Sequence, residues 1–195
     1  MEDSDQDFGD LLRVIENIQA LIQWDAAGEA GTFWVLFTII AWFIGVIMVL
    51  MSIRKASRRQ ELGTTAGSWS EPLWMFVIGV MFVALPALIR ALSLSLFGGT
   101  PTDGQSIFQY ADSTLGAVDS GEARTIIIGI VYIVQFVGLV AVMRGLYMLN
   151  LSAQGASSGG PRTFGPGFTF LIAGAAALNF PIFVGMMESL IVGTD

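Results

Sequence analysis

One apolar segment, from Leu73 to Phe97, restricts the folds open to this chain more than any other feature of its sequence. It contains no acid and no amide, and Arg90 is its one charged residue. At about 1.5 Å per residue, a helix of this length exceeds the roughly 30 Å hydrocarbon core of a bilayer. The segment also lacks the polar stripe that a helix on a soluble protein presents. We therefore predict a transmembrane helix with a kink near Pro86.

Three further segments have the length and composition of membrane spans. They run from Phe33 to Ile53, from Thr125 to Met143 and from Gly167 to Val192. Soluble domains carry charge on about a quarter of their residues, whereas this chain carries it on 13%. The sequence therefore predicts an all-α, polytopic membrane protein with four transmembrane helices. They form two tandem hairpins, at 32–97 and 125–195, which a loop at 98–124 joins.

The first 31 residues are acidic, and their apolar residues follow helical spacing. One face of the helix would carry Phe8, Leu11, Leu12, Ile15, Ile18 and Ile22. We predict an amphipathic helix over 1–31, which either lies on the membrane and the bundle or docks a partner subunit. Its acidity disfavours anionic lipid, because helices that bind such lipid normally carry Lys and Arg on the polar face.

Charge is distributed unevenly between the two ends of the predicted spans. The loops after the first and third spans carry six of the nine cations: Arg54, Lys55, Arg58, Arg59, Arg144 and Arg162. Glu61 and Glu71 are the only acids, of sixteen, on that side. Because cytoplasmic loops carry an excess of Lys and Arg, we predict both termini, and the loop at 98–124, on the periplasmic side of a bacterial inner membrane. The cluster from Arg54 to Arg59 is typical of a stop signal, and anionic lipid or a cytoplasmic partner is an alternative contact for it.

The two hairpins resemble each other in sequence. Phe43-Ile-Gly-Val-Ile-Met-Val in the first span corresponds to Phe136-Val-Gly-Leu-Val-Ala-Val in the third, 93 residues later. Pro86 and Pro181 interrupt the second and fourth spans and lie 95 residues apart. A near-constant offset between separate landmarks indicates an internal repeat, although apolar segments also match by chance. We predict a parallel repeat, in contrast to the inverted repeats common in transporters.

Two charged residues, Arg90 and Glu188, lie within the predicted spans. Their helices run in the same direction, and both residues lie toward the outer end, so the sequence places them at similar depth. A charge at this depth is costly and normally faces protein, water or an opposite charge. Three roles are open: an ion pair that fixes the order of the helices, part of an ion or proton path, and contact with another subunit.

Polar and small residues mark further contact positions within the spans. Gln135 and Asn179 are amides that we expect to hydrogen-bond between helices, where such bonds contribute under about 2 kcal/mol. Ala87, Ala91 and Ser95 recur at steps of four. A stripe of small side chains lets a neighbouring helix approach closely in lipid.

The residue types that carry most enzymatic chemistry are missing. The chain has no cysteine and no histidine, which removes thiolate nucleophiles, disulfides and the usual zinc and haem ligands. The net charge of −7 argues against binding of nucleic acid by the chain as a whole. We therefore expect no enzyme, no metal site, no cofactor and no direct nucleic-acid binding.

The stretch from Phe164 to Phe183, FGPGFTFLIAGAAALNFPIF, resembles a known family. It has a glycine-rich start, then a run of small residues, then Leu-Asn before a helix break. In these features it is similar to the IcmC/DotE and DotV proteins. These are small polytopic inner-membrane proteins of type IVB secretion systems, with relatives in IncI-type conjugation. Length and the multi-span layout agree elsewhere in the chain. The resemblance implies a structural part of a transfer apparatus without assigned catalysis, and it carries over no functional residue.

These observations predict a non-enzymatic membrane subunit that acts by packing its helices into a larger assembly. Its partners would be lipid and other membrane subunits, and a unit this small leaves surface open for self-association. The alternative is a small stand-alone transporter or channel that uses the polar positions within the spans. That alternative predicts polar residues at several depths, and only Arg90, Gln135, Asn179 and Glu188 are available.

Overall fold

The structure is a computed structural model, and it describes residues 13–18, 20–22, 31–62, 69–99, 104–110, 121–154 and 164–192. Every secondary-structure element within these ranges is a helix, as predicted. We number the α-helices after residue 31 as α1 Thr32–Leu62, α2 Ser70–Val83, α3 Leu85–Phe97, α4 Ile107–Tyr110, α5 Gly121–Ala153, α6 Phe164–Leu178 and α7 Phe180–Val192. A short 3-10 helix, Gly104–Ser106, precedes α4.

The predicted N-terminal helix falls only partly within the described residues. Residues 13–18 and 20–22 are helical, and Val14 and Ile18 are exposed there, whereas Ile15 is half-buried. The remainder of 1–31, including Phe8 and Leu11, lies outside the described residues apart from Gly31. The amphipathic helix over 1–31 therefore stays a prediction.

Among the described helices, two are long and apolar enough to cross a membrane, Thr32–Glu61 within α1 and Ala123–Ala153 within α5. Both continue beyond the ends that the sequence predicts. α1 runs through the basic cluster to Leu62, and α5 continues past Arg144 to Ala153. Arg, Lys, Gln, Glu and Leu favour helix, so a charge marks the end of the apolar band without ending the hydrogen-bonded helix. The predicted span ends at Ile53 and Met143 therefore do not coincide with the ends of the helices, which lie at Leu62 and Ala153.

The other two predicted spans are each broken into a pair of helices. α2 and α3 meet at 91° at Ala84, and α6 and α7 meet at 86° at Asn179. The sequence predicts a kink near Pro86, and the structure makes it nearly a right angle. Pro86 and Pro181 are the second residues of α3 and α7, and each lacks an N–H and crowds the carbonyl four residues earlier. By length and composition alone, the described residues contain two helices that could cross a membrane, or up to four spans if each bent pair is one span.

The described residues form two compact units. One comprises the described parts of Met1–Leu36, Leu92–Leu139 and Ala175–Asp195, and the other comprises those of Phe37–Ala91 and Val140–Gly174. The first unit contains the α6–α7 break, where α7 packs on α4: a Cβ added to Gly185 would lie 2.8 Å from the carbonyl oxygen of Tyr110. In the second unit, α1 packs against α2, and the end of α5 packs against the start of α6.

Glycines bring the helices of the second unit into close contact. A Cβ added to Gly45 of α1 would lie 2.6 Å from the backbone nitrogen of Val83 and 2.7 Å from the carbonyl oxygen of Gly79. A Cβ added to Gly145 of α5 would lie 2.8 Å from the carbonyl oxygen of Gly167. Ordinary contacts of a Cβ begin near 3.4 Å, so a side chain at Gly45 or Gly145 would force the helices apart. Close backbone approach at small residues is a principal source of helix association in lipid.

Candidate functional site

A buried polar cluster lies at the break between α6 and α7. Asn179, the break residue, is 0% exposed, and its Nδ2 donates to the hydroxyl oxygen of Ser93 at 2.7 Å and to the carbonyl oxygen of Ala175 at 2.8 Å. Gln135 is also buried, and its Nε2 donates to the carbonyl oxygen of Leu178 at 3.2 Å. The structure therefore brings the two predicted amides to one place, together with a serine from α3.

The arrangement of this cluster suits hydrogen bonding and positioning. Because the carbonyl of Ala175 can only accept, it fixes which end of the Asn179 amide donates. The opposite end, Oδ1, is buried and has no hydrogen-bond partner among the described residues. Amides and hydroxyls do not titrate near neutral pH. The cluster can therefore hold the helix break in place or bind a neutral donor, and it offers no acid–base group.

Arg90 is exposed on α3, whereas the sequence predicts a cation held within a span. α2 has 14 residues and covers about 21 Å at 1.5 Å per residue. α3 turns away from α2 at about a right angle. Arg90 therefore lies at about the same distance along the α2 axis as the break at Ala84. Arg90 belongs to the second unit and the half-buried Glu188 to the first, so their pairing stays a prediction. The small-residue stripe Ala87, Ala91 and Ser95 is exposed as well.

An ionic cluster joins the cationic end of α1 to the first turn of α2. Lys55 Nζ donates to Glu71 at 2.8 Å, and Arg59 Nη2 donates to the other carboxylate oxygen. The hydrogen bond from Lys55 lowers the pKa of Glu71, and the charges of Lys55 and Arg59 lower it further against the opposing effect of burial. Glu71 precedes the apolar segment that starts at Leu73. Of the predicted basic cluster, Arg54 and Arg58 are exposed, so only Lys55 and Arg59 serve this contact.

A groove of the second unit lies between α2, the end of α5 and the start of α6. Its volume is about 360 Å³. Its lining comprises Ser70, Trp74, Val77, Ile78, Met81, Leu149, Ser152, Ala153 and Phe164. The serines and the helix ends lie at one end of the groove, and apolar side chains of α2 extend from there to Met81. The second unit thus contains a mostly apolar groove with two serines at one end.

Three residues of these sites are absent from the sequence-based candidates. Ser93 pairs with a residue 86 positions away, and a serine on an apolar helix gives no sign of such a partner. Ser52 donates to the carbonyl oxygen of Pro72 at 2.6 Å. Glu71 was recognisable in principle, because it is one of two acids on the basic face and lies opposite the cationic end of the preceding helix.

Among the described residues, no group of three His, Cys, Asp or Glu side chains can hold a metal ion.

Comparison of the chain with protein-family models, with curated proteins and with solved structures finds no match.

Proposed function

We propose that the chain is a non-enzymatic structural subunit of a bacterial inner-membrane machine for secretion or conjugative transfer. It would act by packing its helices against other membrane subunits. The observation that supports this most is the exposed face of α3, on which Arg90 lies among Ala87, Ala91 and Ser95. Small residues permit close approach of another helix, and a cation in lipid is stabilised by a partner.

A parallel internal repeat is part of this proposal. Each half has a long helix, then a pair of shorter helices of nearly matched length, 14 and 13 residues in one half and 15 and 13 in the other. The breaks at Ala84 and Asn179 lie 95 residues apart, as Pro86 and Pro181 do. Two tandem hairpins of equal orientation would arise by duplication of one hairpin.

One pair of equivalent contacts supports the repeat independently of the apolar composition. Ser52 contacts the carbonyl oxygen of Pro72 in the first hairpin. The residue 93 positions after Ser52 is Gly145, and the residue 95 positions after Pro72 is Gly167. Gly145 approaches the carbonyl oxygen of Gly167 in the second hairpin. The same two offsets that align the sequences therefore align a helix–helix contact.

Orientation completes the proposal. Four crossings with the basic helix ends in the cytoplasm would place both termini and the segment at 98–124 in the periplasm. Lys55, Arg59 and Glu71 would then lie at the cytoplasmic boundary, and the cluster around Asn179 would lie within the membrane.

Extraction in a mild detergent, followed by measurement of mass, tests the assembly. We expect the tagged wild-type chain to elute in a defined complex much larger than its 20.9 kDa, and Arg90→Leu to elute smaller. The matched control is Arg13→Gln, which removes an exposed cation outside α3. A wild-type chain that is monomeric in its native membrane extract contradicts the proposal.

A small transporter or channel is the second candidate, and the broken helices favour it. Transporters commonly bind substrate where helices are interrupted near the bilayer midplane, and Ser93, Gln135 and Asn179 place buried polar groups at such an interruption. This candidate predicts solute flux by the purified chain in liposomes and its loss in Asn179→Leu. A complex without flux supports the structural subunit instead.

A further inference from the structure

The exposed face of α1 changes from apolar to cationic along a single line of the helix. Phe43, Ile47 and Leu50 are each more than half exposed. Arg54 and Arg58 follow about one and two turns later and are also exposed. At about 100° per residue, these five side chains lie within a sector of about 80°. They form a continuous outer stripe on α1, which is apolar along the span and basic at its end.

The opposite face of α1 packs against α2. Gly45 approaches the backbone of α2, and Ser52 donates to a carbonyl oxygen of α2 at 2.6 Å. Lys55 and Arg59 continue this packed face, and both bind Glu71. The helix therefore separates the basic cluster into two pairs. One pair is held by an acid of the neighbouring helix, and the other pair belongs to the outer stripe.

In a membrane, the two arginines of the outer stripe would lie at the depth of the lipid headgroups. The apolar band of α1 ends at Ile53, and each headgroup region is roughly 5–8 Å thick. At 1.5 Å per residue, Arg54 and Arg58 lie about 1.5 Å and about 7.5 Å beyond that end. Glu61 is exposed on the same side of the helix, but it lies about 12 Å beyond the end. No ion pair among the described residues involves Arg54 or Arg58.

We infer that the outer stripe binds one anionic phospholipid. The phosphate lies between Arg54 and Arg58, whose guanidinium groups can each donate two hydrogen bonds to it. An acyl chain follows the apolar part of the stripe to Phe43. That part extends about 16 Å from Arg54, close to the depth of one leaflet, which is about 15 Å. A zwitterionic lipid carries its own compensating cation and gains less from the two arginines. The inference requires that α1 crosses the membrane, and it does not depend on the proposed assembly.

Quenching of tryptophan fluorescence by brominated lipid tests this site in the purified full-length chain. The probe variant carries Leu50→Trp, and its five native tryptophans are replaced by phenylalanine. It is reconstituted in mixtures of phosphatidylglycerol and phosphatidylcholine in which one lipid or the other is brominated. Each cation near the membrane surface strengthens attraction to anionic lipid by about fivefold. We therefore expect phosphatidylglycerol to be favoured at the probe by about fivefold if Arg54 acts alone, and by up to about 25-fold if both arginines act fully.

The matched probe retains only Trp42, which is exposed on α1. It lies about 18 Å from Arg54 along the helix, which is more than the roughly 15 Å depth of one leaflet. Trp42 therefore reports on lipid of the other leaflet and should show no preference for either lipid.

Two neighbouring substitutions distinguish a site from diffuse attraction between charges. Arg54→Gln and Lys55→Gln each remove one cation from the same turn of α1, but only Arg54 belongs to the outer stripe. We expect Arg54→Gln to reduce the preference for phosphatidylglycerol by about fivefold, and Lys55→Gln to leave it within about twofold of its original value. The double substitution of Arg54 and Arg58 with glutamine should reduce the preference to near unity. Equal losses in Arg54→Gln and Lys55→Gln, or a preference that survives the double substitution, overturn the proposal.

The remaining outcomes also decide the question. Equal quenching of the Leu50→Trp probe by the two lipids overturns the lipid site and leaves an acidic protein partner as the contact of the outer arginines. If this probe escapes quenching while Trp42 is quenched, protein covers the stripe, and the proposal is again overturned. If neither probe is quenched, the chain is not in the bilayer, and the proposed membrane function fails together with the lipid site.

Discussion

Substitution of Gly45 with alanine tests the close helix crossing that the structure shows between α1 and α2. The added Cβ would lie 2.6 Å from the backbone nitrogen of Val83 and 2.7 Å from the carbonyl oxygen of Gly79. An ordinary contact begins near 3.4 Å, so relief of the closer contact requires the helices to separate by roughly 0.8 Å, the difference between 3.4 Å and 2.6 Å. Both opposing atoms are backbone, and no rotamer change can relieve the contact.

The expected magnitude is a balance of two terms. Overpacking of this kind costs about 1–3 kcal/mol, and replacement of glycine by alanine in a helix interior returns about 1 kcal/mol through helix propensity. We expect Gly45→Ala to lower the free energy of unfolding by about 1 kcal/mol, the middle of the range of about 0–2 kcal/mol that the two terms leave. Reversible unfolding in mixed micelles, followed by circular dichroism, measures this quantity.

Gly165→Ala is the matched control, because a Cβ added there meets nothing within 4 Å. The same substitution should leave the free energy of unfolding unchanged or raise it by at most about 1 kcal/mol. If both variants are as stable as the wild type, the predicted clash is absent and the close crossing of α1 and α2 is wrong.

Three other perturbations test the polar contacts. Glu71→Gln should lower the free energy of unfolding by about 1 kcal/mol at neutral pH, since partly exposed ion pairs contribute about that much. The pKa of Glu71 in the folded chain is below its ordinary value of 4.5, so this contribution is present above pH 4.5 and is lost as the pH falls further. The stabilities of wild type and variant should therefore converge in acid. A difference that stays constant with pH would refute the contribution of this ion pair. A double-mutant cycle of Ser93→Ala and Asn179→Leu should give a coupling of about 0.5–1.5 kcal/mol, and additive effects would show that their hydrogen bond contributes nothing.

The sequence predicts the helical class and the positions of the apolar segments well, because a bilayer requires apolar residues over a fixed length. It also identifies where the second and fourth segments break, since Pro86 and Pro181 each remove a backbone donor. The angle of each break could not be predicted. A proline removes one hydrogen bond and crowds one carbonyl, whereas the final angle depends on what each shorter helix packs against.

Helix ends and buried partners were harder to predict. The charged residues from Arg54 onward mark the edge of the apolar band, but they also favour helix, so α1 continues to Leu62. Gln135 and Asn179 are conspicuous amides in apolar segments, and the structure buries both. Ser93 has no such signal, because its role depends on a contact with a residue 86 positions away. Pairing between distant helices is information that composition and spacing do not contain.

Cysteine accessibility in intact spheroplasts tests the central claim, that four apolar segments cross the membrane with the basic ends in the cytoplasm. The chain has no cysteine, so single substitutions at Ser4, Ser68, Ser113 and Ser157 report one position each. We expect an impermeant thiol reagent to label positions 4 and 113, and to label 68 and 157 only after permeabilisation. If both bent pairs are instead re-entrant, position 113 will be protected and position 157 labelled, and the four-span topology will be contradicted.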